Sequence, residues 1–196
     1  MTATMQRMDP SMHERLQATA CRRLNVGSGQ TPLAYWTNLD EAEDALADLH
    51  VRVPPLPQET GSLDEIYAGH FLEHLTSSEA DTFLDECHRC LTAKGTIGIV
   101  VPDTREVMKR HLRGDLDEIE SPAGVWHRVR DLDAVCRLFF YSTVQNSPHR
   151  WSYDLLTLKR LLQRHGFDVV RPIDRFSDPR IPVGAWYQCG WDAVKR

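Results

Sequence analysis

Short apolar runs alternate with longer amphipathic stretches along most of the chain. The apolar runs predict strands at 22–26, 35–39, 50–53, 64–69, 96–101, 167–171 and 185–194. Helical spacing or helix-forming composition predicts helices near 10–20, 41–49, 77–94, 105–112, 131–139 and 153–165. Strands that alternate with helices in this way are typical of a parallel sheet with helices on both faces.

Capping residues predict where two of these helices begin and end. Thr76 and Glu79 have the spacing of a capping box, and Gly95 is the expected end of that helix. Ser152 is expected to cap the later helix and Gly166 to close it. The strand at 96–101 is apolar on both faces, which indicates a central position in the sheet.

A glycine turn follows the first predicted strand. Gly27 and Gly29 are placed where a side chain would obstruct the approach of a ligand to the backbone. Asp40 ends the second predicted strand, and a carboxylate there can accept hydrogen bonds from the two hydroxyls of a ribose. Together they predict a cofactor of the adenosine type.

The spacing of these residues distinguishes among the possible adenosine cofactors. A nicotinamide fingerprint needs a third glycine where Pro32 stands, and it places its acid about 20 residues downstream, later than Asp40. Gly29 is not followed by the Gly-Lys-Ser/Thr of a phosphate-binding P-loop. The remaining adenosine cofactor, with a charged tail that carries no phosphate, is S-adenosylmethionine.

Composition limits the partners. The chain has 196 residues, enough for a single domain over 1–196, and a net charge of −5. That charge favours neither nucleic acid nor an anionic membrane, and no apolar run is long enough to cross a bilayer. Residues 1–10 lack the apolar core of a signal peptide, and five cysteines, an odd number, predict reduced thiols in the cytoplasm.

Several motifs occur in an order that resembles the class I S-adenosylmethionine-dependent methyltransferases, closest to a small bacterial group. The matching stretches are LNVGSG at 24–29, TNLD at 37–40, DEIYAGHFLEHL at 64–75, ECHRCLTAKG at 86–95 and VVPD at 100–103. The resemblance covers about residues 22–171. It implies a Rossmann-like three-layer α/β sandwich with a seven-stranded, mainly parallel sheet of order 3-2-1-4-5-7-6, whose last strand, 185–194, is antiparallel.

One departure concerns the first crossover. Only residues 30–34 separate the glycine turn from the second predicted strand, whereas a parallel crossover normally needs a dozen residues or more. The usual helix between the first two strands is therefore expected to be absent or reduced to a turn.

The resemblance also implies a cofactor site. Residues 27–29 (Gly27, Ser28 and Gly29) would pass under the methionine part of the cofactor, with Asn25 preceding them, and Asp40 would hold the ribose. Asp48 and Leu49 would lie beside the adenine, and Ala68, Gly69 and His70 would line the sulfonium side. Simpler alternatives exist for some of these residues. The glycines can serve a turn alone, Asp40 can cap a helix from Glu41, and Asp48 can be a solvated surface acid.

Candidate catalytic residues follow from the need for a base near a hydroxyl acceptor. His70 follows the fourth strand, and His149 precedes the helix at 153–165. Asp103 follows the central strand at its carboxyl end, or it caps the helix from Thr104. His74 is interpreted as a structural residue. The segment 104–151 is an insert or lid over the acceptor, or its aromatic side chains anchor it to the core.

No metal site is predicted. Cys87 and Cys90 form half of a zinc motif without a second pair. The resulting hypothesis is methyl transfer from S-adenosylmethionine to a hydroxyl of a small molecule or glycan, an acceptor class that rests on family analogy. Residues 68–71 lack the Asn/Asp-Pro-Pro-Tyr signature of nucleobase methylation. The alternative is a non-catalytic module or partner subunit that binds the cofactor, and a monomer and a homodimer are both compatible with the sequence.

Overall fold

The computed structural model describes residues 21–114, 118–121, 124–128, 148–181 and 186–196. The strands are β1 (Arg23–Val26), β2 (Thr37–Asp40), β3 (Leu49–His50), β4 (Leu63–Gly69), β5 (Leu91–Pro102), β6 (Glu118–Ser121), β7 (Gly124–Arg128), β8 (Phe167–Pro172) and β9 (Gln188–Lys195). The helices are α1 (Ser77–Cys90), α2 (Thr104–Arg113) and α3 (Leu155–Arg164), with a 3-10 turn at Leu72–His74.

Seven strands form one sheet in the order β3-β2-β1-β4-β5-β9-β8. The first five are parallel, and β9 runs antiparallel to both β5 and β8. Numbered within the sheet, this is the predicted order 3-2-1-4-5-7-6 with an antiparallel last strand, so the predicted fold class is confirmed. Val26 is level with Leu39 on one side and with Ala68 on the other, so the carboxyl ends of β1, β2 and β4 meet at one edge.

The connections on both sides of β2 contain no helix. Residues 27–36 pass from β1 to β2 in turns, as the short spacing predicts. Residues 41–48 also form turns and bends, so the prediction of a helix at 41–49 is wrong. The reason is tertiary: the Leu46 amide donates to Gly29 O at 2.7 Å, and the side chain of Gln30 donates to Asp44 O at 2.7 Å. These bonds tie the segment to the glycine turn.

Helices α1 and α3 cover the same face of the sheet. His165, at the end of α3, lies 2.9 Å from Asp81 and 2.7 Å from Asp85 of α1, which joins the two helices. The fully buried side chains beneath them include Phe83, Leu84, Leu158, Leu162, Ile66 and Ile97. This apolar core holds β4 and β5 flat against the helices and thereby sets the position of the carboxyl edge.

The other face of the sheet is closed by a smaller apolar cluster and a partly buried cation, Arg180. Tyr67, Val100 and Ile173 pack together there. The Arg180 guanidinium lies 2.7 Å from both Asp178 and Asp192 and above the Tyr67 ring. A charge-assisted network of this kind satisfies the polar groups that the sheet brings together.

Two helix boundaries differ from those predicted. Helix α1 ends at Cys90, not at Gly95, because Leu91 is fully buried and already pairs with Leu63 as the first residue of β5. The cap of α3 is Asp154 rather than Ser152, because Asp154 forms a capping box with Thr157. The helices predicted near 10–20 and 131–139 lie outside the described residues.

The segment 104–151 contains α2 and the antiparallel pair β6–β7 among its described residues. Its role as an insert or lid stays a prediction. Within the described ranges, no helix combines the length and the apolar character that a membrane span requires.

Candidate active site

The glycine turn after β1 has a backbone that only glycine adopts without strain. Gly27 has φ +71° and Gly29 has φ +49°, both in the left-handed region. A Cβ added to Gly27 would lie 2.9 Å from Cδ2 of Phe71. The amides of Gly27 and Ser28 both donate to Leu39 O, at 2.8 and 3.1 Å. The turn is therefore held against the end of β2 with no room for a side chain.

Asp40 presents its carboxylate at the same edge. Its Oδ2 accepts from the Gly29 amide at 2.8 Å, and its Oδ1 accepts from the Ala42 amide at 2.9 Å. A carboxylate has about four acceptor positions, so two remain for other donors. Asp40 caps no helix, because no helix follows it. Its spare acceptors beside a glycine turn fit the ribose hydroxyls of an adenosine cofactor.

Ser28 joins the turn to the following loop. It is 1% exposed, and its hydroxyl donates to Leu46 O at 3.3 Å. Because its hydroxyl bonds to the 41–48 segment, the side chain of Ser28 holds the backbone of the turn in place and is not directed toward a ligand.

Asn25, which is buried, and Asp48, which is exposed, both bond to the buried Asn38. The Asn25 amide donates to Asn38 Oδ1 at 3.0 Å. Asp48 Oδ2 accepts from the Asn38 backbone amide at 2.8 Å and from its side chain at 3.2 Å. Asn38 also bonds to the backbone of Leu33 and Trp36, which folds the short crossover onto β2. This network stabilises the short connection from β1 to β2, which contains no helix.

The register of β3 aligns its two residues, Leu49 and His50, with the last two residues of β2. Asp40 pairs with His50, and Leu39 pairs with Leu49, which is buried in the core. Asp48 precedes the strand and is bonded to Asn38, two residues short of the end of β2. The structure thus brings His50, rather than Asp48, level with Asp40.

The end of β4 turns sharply toward the 3-10 turn. Ala68 is fully buried between Val26 and Ile99, and a Cβ on Gly69 would lie 2.6 Å from the Tyr67 hydroxyl. His70 has φ +54°, an unusual value for a residue with a side chain. Its amide donates to Val100 O at 2.9 Å, which fixes the turn against β5. Such backbone strain is found at functional sites.

His70 contacts a buried acid that sequence reasoning did not select. The distance from His70 Nδ1 to Glu73 Oε1 is 3.1 Å, and Glu73 is 1% exposed. Burial raises the pKa of Glu73, but the hydrogen bond from His70 and the field of His70, His74 and His149 outweigh it and hold the pKa below its ordinary value. Glu73 is thus an ionised carboxylate beneath the carboxyl edge.

His149 reaches the same place from the connection that precedes α3. The rings of His149 and His74 are 4.8 Å apart, edge to face. The amides of Arg150 and Trp151 donate to the Glu73 carbonyl at 2.7 and 3.1 Å. Two segments distant in sequence therefore meet in what we call the His–Glu cluster: His70, Glu73, His74 and His149.

Asp103 has the role of a helix cap. Its Oδ1 accepts from the Glu106 amide at 3.1 Å at the start of α2, and its own amide donates to Tyr187 O at 2.6 Å. Burial raises its pKa, against the opposing effects of the Glu106 amide and Arg175. The backbone of Asp103 also forms an isolated β-bridge with Tyr153. Asp103 thereby connects the start of α2 to the segment before α3.

Two tyrosines complete the edge, and no sequence motif points to either of them. Tyr153 is 4% exposed, and its hydroxyl has no hydrogen-bond partner among the described residues. Burial and the nearby Glu73 raise the pKa of Tyr153. The ring of Tyr187 lies 6.5 Å from that of His70. Only the fold brings these rings to the end of β4.

The fold defined by this sheet order is the class I fold of S-adenosylmethionine-dependent methyltransferases. A crystal structure of such a protein from Methanosarcina mazei is 15% identical, covers 96% of this chain and 98% of its own, and has a TM-score of 0.56. One from Mesorhizobium loti is 13% identical, with coverage of 95% and 96% and a TM-score of 0.55.

A third similar structure carries ligands. It is phosphoethanolamine N-methyltransferase 2 of Haemonchus contortus in complex with phosphomonomethylethanolamine and S-adenosylhomocysteine, 13% identical, with a TM-score of 0.53. The match covers 89% of this chain and 48% of that one. No family model matches the sequence, and no curated protein matches it. At these identities the likeness establishes the fold.

Proposed function

We propose that this chain is an S-adenosylmethionine-dependent methyltransferase that acts on a hydroxyl of a small molecule or glycan. The observation that carries the proposal is the pairing of the Gly27–Gly29 turn with the spare acceptors of Asp40. Both lie at the carboxyl edge of a sheet whose order is that of methyltransferase structures. Ligands of open α/β sheets bind at this edge.

The residues of the turn fit the proposed cofactor. Gly27 allows the left-handed turn to pack directly against Phe71, and Asp40 retains two acceptor positions for ribose hydroxyls. Gly69 and His70 would border the methionine side from the end of β4. When bound, S-adenosylmethionine supplies an electrophilic methyl group. The chain supplies binding and alignment, which lower the barrier by fixing the reacting atoms in place.

His70 is the candidate base. Because Glu73 Oε1 can only accept, His70 Nδ1 carries the proton of that bond, and the lone pair of the neutral ring is on Nε2. Nε2 is buried and has no partner among the described residues. An acceptor hydroxyl would satisfy it by donating its proton, and the Glu73 carboxylate would stabilise the charged ring that results. His149 would contact the acceptor from the opposite segment.

The acceptor class rests on analogy and on what the sequence lacks. The absence of an Asn/Asp-Pro-Pro-Tyr signature at 68–71 and the net charge of −5 both disfavour a nucleobase. Under this proposal the enzyme works in the cytoplasm without a nucleic-acid or membrane partner, and the segment 104–151 covers the acceptor. The competing function is a module that binds the cofactor without transferring a methyl group.

Calorimetric titration with S-adenosylhomocysteine tests the proposal. We expect the unmodified chain to bind with a dissociation constant of about 1–100 µM. Asp40→Asn should weaken binding roughly tenfold, because it replaces a charged acceptor by a neutral one. Asp44→Asn is the matched control, since Asp44 is an exposed acid on the neighbouring turn. No binding by the unmodified chain refutes the proposal.

A second measurement separates the enzyme from the module. The chain is incubated with S-adenosylmethionine and a panel of hydroxylated small molecules and glycans, and S-adenosylhomocysteine production is followed. Turnover that requires an acceptor supports the methyltransferase. Cofactor binding without turnover on any of them favours the non-catalytic module.

A further inference from the structure

Three side chains of the His–Glu cluster are arranged as metal ligands. Glu73, His74 and His149 each offer one ligand atom, and these atoms all lie within 4.8 Å of one another. Glu73 and His74 come from the 3-10 turn after β4, and His149 comes from the segment before α3. The arrangement therefore depends on the fold and is not a feature of one helix.

The Glu73 carboxylate has a buried oxygen without a partner. Oε1 is bonded to His70, but Oε2 has no hydrogen-bond partner among the described residues, although Glu73 is 1% exposed. A buried acceptor left unsatisfied carries a free-energy cost, which is larger when the acceptor is charged. A cation bound at Oε2 would remove that cost.

Contacts outside the three ligand atoms orient them. The distance from His74 Nδ1 to Pro148 O is 3.3 Å, and because a carbonyl only accepts, Nδ1 is the protonated nitrogen in that contact and the lone pair is on Nε2. His70 donates to Glu73 Oε1, and the second carboxylate oxygen, Oε2, takes no part in that hydrogen bond. Hydrogen bonds that orient imidazole and carboxylate side chains are typical of the groups around metal ligands.

The backbone ties the two halves of the site together. The Arg150 and Trp151 amides donate to the Glu73 carbonyl, so the residues that follow His149 are held directly against the residue that carries the carboxylate. His74 and His149 are both partly exposed, whereas Glu73 is buried. An ion bound there would have the carboxylate beneath it and an approach from solvent.

We infer that Glu73, His74 and His149 form a binding site for a divalent transition-metal ion of the Zn²⁺ type. Two imidazoles and one carboxylate suit Zn²⁺, Co²⁺ or Ni²⁺ better than Ca²⁺ or Mg²⁺, which prefer oxygen ligands alone. Three protein ligands leave one position open. Ligands around Zn²⁺ stand roughly 3.4 Å apart, so closure onto the ion requires side-chain shifts of about 1 Å or less.

The inference goes beyond the proposed function, because metal binding does not require the methyl donor. If both hold, an ion held by Glu73, His74 and His149 would be able to polarise an acceptor hydroxyl as a Lewis acid. That last role rests on the proposed function, whereas the site itself does not.

The experiment is a calorimetric titration of Zn²⁺ into chelator-treated protein that carries no polyhistidine tag. We expect one ion per chain with a dissociation constant of about 1 µM or lower. Glu73→Gln and His149→Gln should each weaken binding at least roughly tenfold. His50→Gln is the matched control, because His50 is an exposed histidine of β3 outside the cluster. Co²⁺ should give d–d absorption bands that Zn²⁺ abolishes.

Two results would overturn the inference: no stoichiometric binding by the unmodified chain, or equal binding by the chain and both variants. Circular dichroism verifies that the variants fold, and if Glu73→Gln does not, the partly exposed His149 decides the outcome alone. The titration contains no S-adenosylhomocysteine, and the cofactor titration is run with chelator. Zn²⁺ binding without cofactor binding thus upholds the site and refutes the proposed function, and the reverse result refutes only the site.

Discussion

The glycine turn and the His–Glu cluster lie at the same edge of the sheet but are built in opposite ways. In the turn, nearly every polar group is already paired: the amides of Gly27 and Ser28 reach Leu39, and both Asp40 oxygens accept backbone amides. In the cluster, His70 Nε2 and Glu73 Oε2 are buried and have no partners among the described residues.

The difference indicates two kinds of binding. A turn whose polar groups are satisfied contributes the shape of its backbone and a few spare acceptors, so a ligand is selected by fit. A cluster with unsatisfied buried atoms carries a free-energy cost that a bound group or ion would relieve. Substitutions should therefore act on the turn through space and on the cluster through charge and hydrogen bonding.

The largest effect is expected from filling the glycine turn. Gly27→Ala places a methyl group 2.9 Å from Phe71 Cδ2 at a φ of +71°. We expect the affinity for S-adenosylhomocysteine to fall at least about 100-fold, and the left-handed conformation alone to lower the free energy of unfolding by about 1–2 kcal/mol. Calorimetry and thermal unfolding measure the two effects.

The control for this substitution is Gly61→Ala. Gly61 has a similar φ of +67°, but a Cβ there would meet nothing within 4 Å. The control variant carries the same backbone strain without the contact, so it should lose stability and keep its affinity. Equal affinity of the Gly27 variant and the unmodified chain would show that cofactor binding does not depend on the packing of the turn against Phe71.

The second prediction concerns the charge of the cluster. The folded-state pKa of Glu73 lies below its ordinary value near 4.5, so ionised Glu73 stabilises the folded chain at pH values above that. The contribution is lost as the pH falls below about 4.5 toward the folded-state pKa, because the unfolded chain takes up the proton first. Glu73→Gln should lower the free energy of unfolding at neutral pH by about 1–3 kcal/mol.

Urea unfolding of both proteins from pH 7 to pH 3, with chelator present, measures this effect. The quantity of interest is the difference between the two curves, because other acids with lowered pKa values, such as Glu86, titrate in both proteins. The difference should shrink as the solution becomes acidic. A difference that stays constant across that range would mean that the charge of Glu73 contributes nothing.

The same contrast explains how much of the molecule the sequence predicts. The glycine turn is local: two glycines and an acid lie within fourteen residues, and both their order and their spacing carry the signal. The sheet order follows from the resemblance of motifs that span most of the chain. The central strand β5 is predicted because residues 96–101 are apolar on both faces.

What escaped prediction depends on contacts between distant segments. The helix expected at 41–49 does not form because Gly29 and Gln30 form hydrogen bonds with that segment. Helix propensity is a property of the local sequence and does not include such bonds. Asp48 accepts a hydrogen bond from Asn38, the same residue that holds the short crossover against β2. Tyr153 comes to Glu73 only when α3 docks, so its place in the site was not visible in the sequence.

The smallest effect on the free energy of unfolding is expected for Tyr153→Phe. Unlike most substitutions of buried residues, it should not destabilise the folded chain. The Tyr153 hydroxyl is buried without a partner among the described residues, so the folded chain pays for its desolvation and gains no hydrogen bond. Removing the oxygen leaves the ring packing unchanged. We therefore expect the free energy of unfolding to stay equal or to rise by up to about 1 kcal/mol.

Tyr187→Phe provides the matched comparison at the same edge. Burial raises the pKa of Tyr187 and a hydrogen bond from Gln188 opposes that rise, so removal of the hydroxyl should lower the free energy of unfolding by about 0.5–1.5 kcal/mol. Urea unfolding of both variants measures the pair. Opposite signs would show that the polar atoms around Glu73 are unsatisfied in the free protein and available to a ligand. A loss of stability in Tyr153→Phe equal to that in Tyr187→Phe would show that its hydroxyl is already bonded, and the contrast between the turn and the cluster would then be smaller than the geometry indicates.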